Sequence, residues 1–195
     1  MRIIAGLARG RKLLSVPRKM PVKPISDRMK QSLFDILRPR ITASCFLDLF
    51  AGTGSVGLEA LSRGAMQVVF VERDTICLKV IDRNLERLGF AEKAKTLRAE
   101  ITQGVGWLRR HCAGEGFDII FMGPPYRDEK NRMLALTGPV LKSIAETGIL
   151  AEAGIVIAQH HATEVYEIPP GFEKYRQEKY GDTLITFLRR AKAAQ

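Results

Sequence analysis

From residue 45 onward the chain alternates two hydrophobic patterns. Short runs at 45–49, 67–72, 117–122 and 149–158 are rich in apolar residues and read as strands, and 94–98 is read as a strand in the same alternation. Between them, apolar residues recur every three or four positions, which predicts helices over 54–63, 74–88, 101–111 and about 129–146. Strands alternating with helices predict an α/β fold, a mostly parallel sheet with helices on both faces. The tail breaks this rhythm. Residues 164–168, 172–180 and 183–188 read as strands joined by turns, the first of them Pro169-Pro170-Gly171. Upstream, residues 1–16 alternate loosely around Gly6 and Gly10 and predict a hairpin, and Pro17, Pro21 and Pro24 predict an extended linker. Ser26 then reads as the N-cap of a helix to about Leu37, with Met29, Leu33, Phe34, Ile36 and Leu37 on its apolar face and Pro39 ending it.

The first strand leads into chemistry. Phe46-Leu47-Asp48-Leu49-Phe50-Ala51-Gly52-Thr53-Gly54-Ser55-Val56-Gly57 is an apolar run ending in an acid, then closely spaced glycines, then a helical pattern. A strand feeding a glycine turn into a helix is how α/β proteins seat a nucleotide-like cofactor. Gly52, Gly54 and Gly57 satisfy G-x-G-x-x-G, and Glu72 ends the next strand 20 residues after Gly52, where a ribose-binding acid is expected. A NAD-dependent oxidoreductase is therefore one reading. Asp48 argues against it, because it adds negative charge close to where a pyrophosphate would lie. A cofactor with no phosphates and a cationic amino-acid end, S-adenosylmethionine, would welcome that charge.

A second motif, Gly123-Pro124-Pro125-Tyr126, follows the apolar strand that ends at Met122. With both motifs in view the chain resembles the RsmD family, bacterial methyltransferases acting on a guanine N2 of small-subunit (16S) ribosomal RNA. The matching segments run from end to end: Met1 to Gly6, Arg9-Gly10-Arg11, Ser26-Asp27-Arg28, Leu47 to Gly54, Gly57 to Ala65, Phe70-Val71-Glu72, Pro124-Pro125-Tyr126 and Tyr180-Gly181-Asp182-Thr183. The resemblance implies a Rossmann-like class I S-adenosylmethionine-dependent methyltransferase fold, with a seven-stranded, mostly parallel sheet closed by a C-terminal antiparallel hairpin. It implies a cofactor site built from Asp48, Phe50, Gly52, Gly54, Glu72 and Glu100. Asp48 and the glycines would hold the methionine end, Glu72 the ribose hydroxyls and Glu100 the adenine; a solvated acid at a helix start is the other reading of Glu100.

Charge adds a partner. Residues 1–40 hold 11 Lys or Arg and two acids, so they carry +9 of the total +10. A basic segment beside a near-neutral remainder is the footprint of a polyanion. Arg2, Arg9, Arg11, Lys12, Arg18, Lys19 and Arg28 are the expected RNA-binding residues, and ribosomal RNA or a small ribosomal particle the expected partner. Residues 1–40 form a basic RNA-binding extension on this reading, and residues 41–195 the cofactor-binding methyltransferase domain. Length suits one domain with a small appendage. No apolar run reaches the ~18 residues of a membrane span, and the N-terminus has no apolar signal core. Cys45, Cys77 and Cys112 form no Cys-x-x-Cys pair, and His111, His160 and His161 show no ligand spacing. A reduced cytoplasmic monomer without metal is the expectation.

Gly123, Pro124, Pro125 and Tyr126 are the expected catalytic residues. The lone pair of an exocyclic amine is delocalised into its ring, and acceptors aimed at its two N–H groups can turn that lone pair towards a methyl donor. The two prolines stiffen the loop and present the Pro124 carbonyl as a fixed acceptor. Tyr126 offers a stacking face for a base taken out of its helix. Here the chain departs from the family, which carries Asp or Asn where Gly123 stands. Glycine supplies no side-chain acceptor, so a catalytically weakened RNA-binding protein is the alternative reading. Asp128, two residues past Tyr126, is the candidate replacement. DNA adenine and protein glutamine methyltransferases use a similar Asn-Pro-Pro-Tyr loop, but 195 residues leave no room for a DNA target-recognition domain.

Overall fold

The computed structural model describes residues 1–17, 20, 25–112, 114–128 and 130–192. The chain divides into two compact units, Met1–Glu100 and Ile101–Gln195. The strands of the first unit lie in the order β3-β2-β1 and those of the second in the order β4-β5-β7-β6.

The first unit holds α1 (Asp27–Ile41), β1 (Cys45–Leu49), α2 (Ser55–Ser62), β2 (Gln67–Glu72), α3 (Thr75–Leu88) and β3 (Ala94–Arg98). β2 pairs in parallel with β1 and β3. All five residues of β1 are buried, as a strand covered on both faces requires. All eight residues of α2 are buried too, and Gly57 sets how closely that helix lies on the sheet: a Cβ there would run into the ring of Phe70 on β2. Ser26 caps α1 as expected, its Oγ accepting from the Met29 N–H. The helix runs past Pro39 to Ile41, however. A proline in the last turn costs one backbone bond, and the continued turn buries Ile41. The buried face also differs from the expected one. It is Lys30, Leu33, Phe34, Leu37 and Ile41, while Met29 and Ile36 stay partly exposed.

The expected N-terminal hairpin is reduced to a single antiparallel bridge between Arg2 and Lys12. What fixes the segment is its attachment to the helices. The Ile4 and Ala5 N–H groups donate to Glu59 of α2, and Asn84 of α3 clasps Leu14 by both its N–H and its carbonyl. Ile3, Ala8 and Leu13 are buried.

The second unit holds β4 (Phe117–Met122), α4 (Thr137–Thr147), β5 (Leu150–His161), β6 (Phe172–Tyr180) and β7 (Thr183–Arg190). β4 and β5 are parallel, and β7 pairs antiparallel with β5 and β6. Gly181 and Asp182 make the two-residue turn of the β6–β7 hairpin, with Gly181 at φ 59°. Three expectations are corrected here. The helix over 101–111 is two 3-10 segments, Ile101–Gln103 and Gly106–His111, because Gly104 between them adopts φ 103°. The helix over 129–146 begins only at Thr137, because Asn131 and Ala135 take left-handed backbone angles. Residues 164–168 form no strand.

Candidate cofactor and target-base sites

The first unit presents the glycine turn between β1 and α2. Phe50, Gly52 and Gly54 adopt φ of 60°, 54° and 75°. Two are glycines, for which this is unstrained. Phe50 is not, and a left-handed non-glycine residue in a tight turn marks a backbone held for a purpose. Gly54 is the N-cap of α2 and has no side chain to satisfy the helix's first N–H groups. Asp48 does so from β1: its Oδ2 accepts from the Gly57 N–H at 2.9 Å. The carboxyl is 1% exposed. Burial raises its pKa to about 8, against the Gly57 hydrogen bond and with added repulsion from Glu72.

Glu72, at the end of β2, holds the turn from its other side. Oε2 accepts from the Gly52 N–H at 2.8 Å, and Oε1 accepts from the N–H groups of Arg73 and Asp74. A carboxylate has about four lone-pair positions, so these three bonds leave room for one ribose hydroxyl. A second hydroxyl displaces a backbone N–H. Glu100, the expected adenine contact, forms an ion pair with Arg73 at 3.4 Å. The donor set suits S-adenosylmethionine: a buried acid at the end of β1, a left-handed turn, and an acceptor at the end of β2.

The expected RNA residues lie on the same unit. Arg2, Arg9, Arg11, Lys12 and Arg28 are exposed. Arg2 pairs with Asp27 at 3.4 Å, and Arg11 donates to the Arg87 carbonyl. Arg18 and Lys19 lie outside the described residues.

In the second unit, Gly123-Pro124-Pro125-Tyr126 follows β4 directly. Tyr126 is half-buried and held at its phenol end. Gln159 on β5 donates to the hydroxyl at 3.0 Å, and the hydroxyl donates to Thr183 Oγ1 at 3.4 Å. His161 meets its ring edge-on, with centroids 5.7 Å apart. Gly123 does not use a left-handed angle, and a Cβ there would meet the end of the Phe121 ring at 3.3 Å and the Gln159 Cβ at 4.0 Å. Nothing in the backbone demands glycine. Asp128 is no replacement acceptor. Its carboxylate organises its own loop, accepting from the N–H groups of Lys130 and Arg132 and from the Arg132 guanidinium.

Sequence reasoning missed a buried ion cluster. Lys30 and Glu59 are both 0% exposed. Lys30 Nζ donates to the Arg2 carbonyl at 2.7 Å and to Ser55 Oγ at 3.1 Å, and lies 3.5 Å from Glu59 Oε2. Glu59 also takes the Arg63 guanidinium at 2.8 Å. The available signal was position: Lys30 stands three, four and seven residues before Leu33, Phe34 and Leu37, on their face of α1. Among the described residues no cluster of His, Cys, Asp and Glu could hold a metal, and no helix is long and apolar enough to cross a membrane. The three thiols are unbridged.

Strand order, glycine turn and terminal antiparallel hairpin together define a Rossmann-like class I S-adenosylmethionine-dependent methyltransferase. The family model described as "Conserved hypothetical protein 95" matches residues 1–189, and the chain belongs to that family, the RsmD family. It is 32% identical over 194 residues to YlbH of Bacillus subtilis, provisionally named an rRNA methyltransferase, covering 97% of this chain and 99% of YlbH. It is 29% identical over 191 residues to the ribosomal RNA small subunit methyltransferase D of Escherichia coli K12, covering 97% of this chain and 90% of that protein. Among solved structures it is similar to Escherichia coli yhhF, provisionally described as a methyltransferase, with a TM-score of 0.80, 28% identity and coverage of 98% and 99%. Family membership removes the dinucleotide reading of the glycine turn.

Proposed function

We propose that the chain methylates the exocyclic N2 amine of a guanine in small-subunit ribosomal RNA in the cytoplasm, with S-adenosylmethionine as donor. The carrying observation is the Pro124-Pro125-Tyr126 loop closing β4, with the Tyr126 phenol pinned by Gln159 and Thr183. The names of the relatives point to ribosomal RNA.

The donor supplies, when bound, a methyl group already activated by its sulfonium, so the protein's task is orientation, which can be worth several kcal/mol. Glu72 and the glycine turn would hold the donor's sugar and amino-acid ends. Asp48 would give the cationic amino group a counter-charge, and such a charge would favour the ionised form of the buried carboxyl. Tyr126 provides a fixed ring for the extruded guanine to stack on. The Pro124 carbonyl accepts one amine hydrogen.

Mass mapping of methylated nucleosides in 16S ribosomal RNA, from cells with and without the gene, tests the proposal. One N2-methylguanosine disappears with the gene. An unchanged map refutes the assignment.

Gly123 favours a second reading, an RNA-binding protein of this fold with weakened catalysis, because the loop lacks one amine acceptor. Turnover with radiolabelled donor separates the two: the first gives repeated turnover on small-subunit particles, the second binding without it.

A further inference from the structure

Leu7 is the most exposed large apolar residue of the first unit, at 82%. It is not on a loose tail. The Leu7 N–H donates to the Ser62 carbonyl at 2.7 Å. Its neighbour Ala8 is buried and donates its N–H to Ser62 Oγ, which in turn donates to the Ala5 carbonyl at 2.6 Å. Gly6 turns the chain at φ 83°, so close to Ser62 that a Cβ would run into the Ser62 carbonyl. The backbone on both sides of Leu7 is therefore clamped to the end of α2, and the leucine side chain is held out into solvent. An exposed leucine gains nothing for the fold. Fixing its backbone in advance lowers the entropic cost of using it against a partner.

The charge around it says which partner. Arg9, Arg11 and Lys12 follow closely, exposed, and an isolated antiparallel bridge sets Arg2 opposite Lys12. An apolar tip set in a cluster of cations matches a nucleic acid, whose phosphates take the cations and whose sugars and base edges take the tip. The minor groove of an A-form RNA helix is wide and shallow and displays those surfaces. A tight turn with one protruding leucine suits such a groove.

We infer that Leu7 is an RNA-contacting residue, packing against ribose and base edges in a minor groove of small-subunit ribosomal RNA while the flanking arginines hold its phosphates. The inference rests on the ribosomal RNA reading above. It separates two contributions within one turn: cations give affinity that salt weakens, and Leu7 gives affinity that salt does not.

Binding of the full chain to protein-free 16S ribosomal RNA, measured from 50 to 200 mM KCl, tests this. Leu7→Ala weakens binding about tenfold, as expected on withdrawing most of a leucine side chain from an apolar contact. Its slope of log affinity against log salt, its thermal stability and its affinity for S-adenosylhomocysteine stay at wild-type values. Arg9→Ala, the comparison, lowers the slope by about 0.7–0.9. Leu7→Met keeps wild-type binding, because the contact needs apolar bulk. Wild-type affinity in Leu7→Ala would overturn the inference. So would a loss seen only on assembled small-subunit particles, which would make Leu7 a contact to ribosomal protein. Binding is read without methyl transfer, so a chain that binds in a Leu7-dependent way yet methylates nothing would refute the reaction and leave this contact standing.

Discussion

Replacing Asp48 with asparagine should stabilise the cofactor-free protein, by an amount that grows with pH. Asp48 is 1% exposed and its folded pKa lies at about 8, against an ordinary carboxyl value of 3.8. The native state therefore holds a proton that the unfolded chain releases. For such a group, stability is fully present below pH 3.8 and is lost as pH rises towards 8. Between pH 5 and pH 7 the loss runs at about 1.4 kcal/mol per pH unit, or about 3 kcal/mol in all. Relaxation and water entry make that an upper figure. Asparagine carries no such penalty, and its carbonyl can still accept from the Gly57 N–H. For a chain of this size about 3 kcal/mol corresponds to about 6–12 °C in Tm. The lead of Asp48→Asn over the wild type should therefore widen by up to that much between pH 5 and pH 7. Other titrating groups, including the buried His160, are common to both proteins and cancel. The same substitution should weaken S-adenosylhomocysteine binding, because the counter-charge for its amino group is gone. Thermal scans at pH 5, 6, 7 and 8, with and without S-adenosylhomocysteine, give both results. A Tm lead of constant size across that range, or none, would show that Asp48 is not a buried acid held neutral by its surroundings.

Three further outcomes follow from the geometry. Glu72→Ala should abolish S-adenosylhomocysteine binding in calorimetric titration. It should also cost about 2 kcal/mol of stability in urea unfolding, because three backbone N–H groups lose their acceptor; unchanged affinity would misplace the cofactor. Gly123→Asp should raise the single-turnover methylation rate at least tenfold, since a transition-state acceptor can be worth ~10²–10³ in rate and a Cβ meets the Phe121 ring end and the Gln159 Cβ; an equal or slower rate in the folded variant would show that glycine is no defect. Glu59→Gln should cost about 3–5 kcal/mol, leaving Lys30 a buried unpaired cation, and adding Lys30→Met should recover part of it in urea unfolding; additive losses would deny the pairing.

β1, β2 and β4 were legible because their burial leaves a continuous apolar signal, and they begin and end where the apolar runs do. β3 has no buried residue and was legible only from the alternation of strands and helices around it. The glycine turn and Glu72 were legible from spacing alone. The failures have physical causes. Gly104 and Gly106 interrupt what reads as a helical period over 101–111, and glycine's backbone freedom outweighs that period. The helix expected from about 129 starts only at Thr137, because Asn131 and Ala135 take left-handed angles that an apolar period does not reveal. Glu72 was legible as the acid that ends β2 but not as the clamp on Gly52, since a contact across 20 residues appears only once β1 and β2 pair.

The basic segment teaches the sharper lesson about charge. Eleven cations in residues 1–40 give the segment its charge, and seven of them are the expected RNA contacts, yet the eleven do unlike work. Lys30 is fully buried and ties the Arg2 carbonyl to Ser55, the first residue of α2. Arg2 spends part of its charge on Asp27. The Glu59 that neutralises Lys30 also takes the Ile4 and Ala5 N–H groups, so one buried acid fastens the segment to the helix that begins at the cofactor turn. Deleting the first 20 residues would remove this anchorage along with the phosphate contacts. A weaker truncated protein would then report on folding as much as on RNA. Single substitutions of exposed cations avoid the confusion: the Arg9 and Lys12 side chains are exposed and lie beside the clamped turn. The segment is a folded part of the first unit that carries charge outward, and cations held still in this way would lose less freedom on meeting RNA.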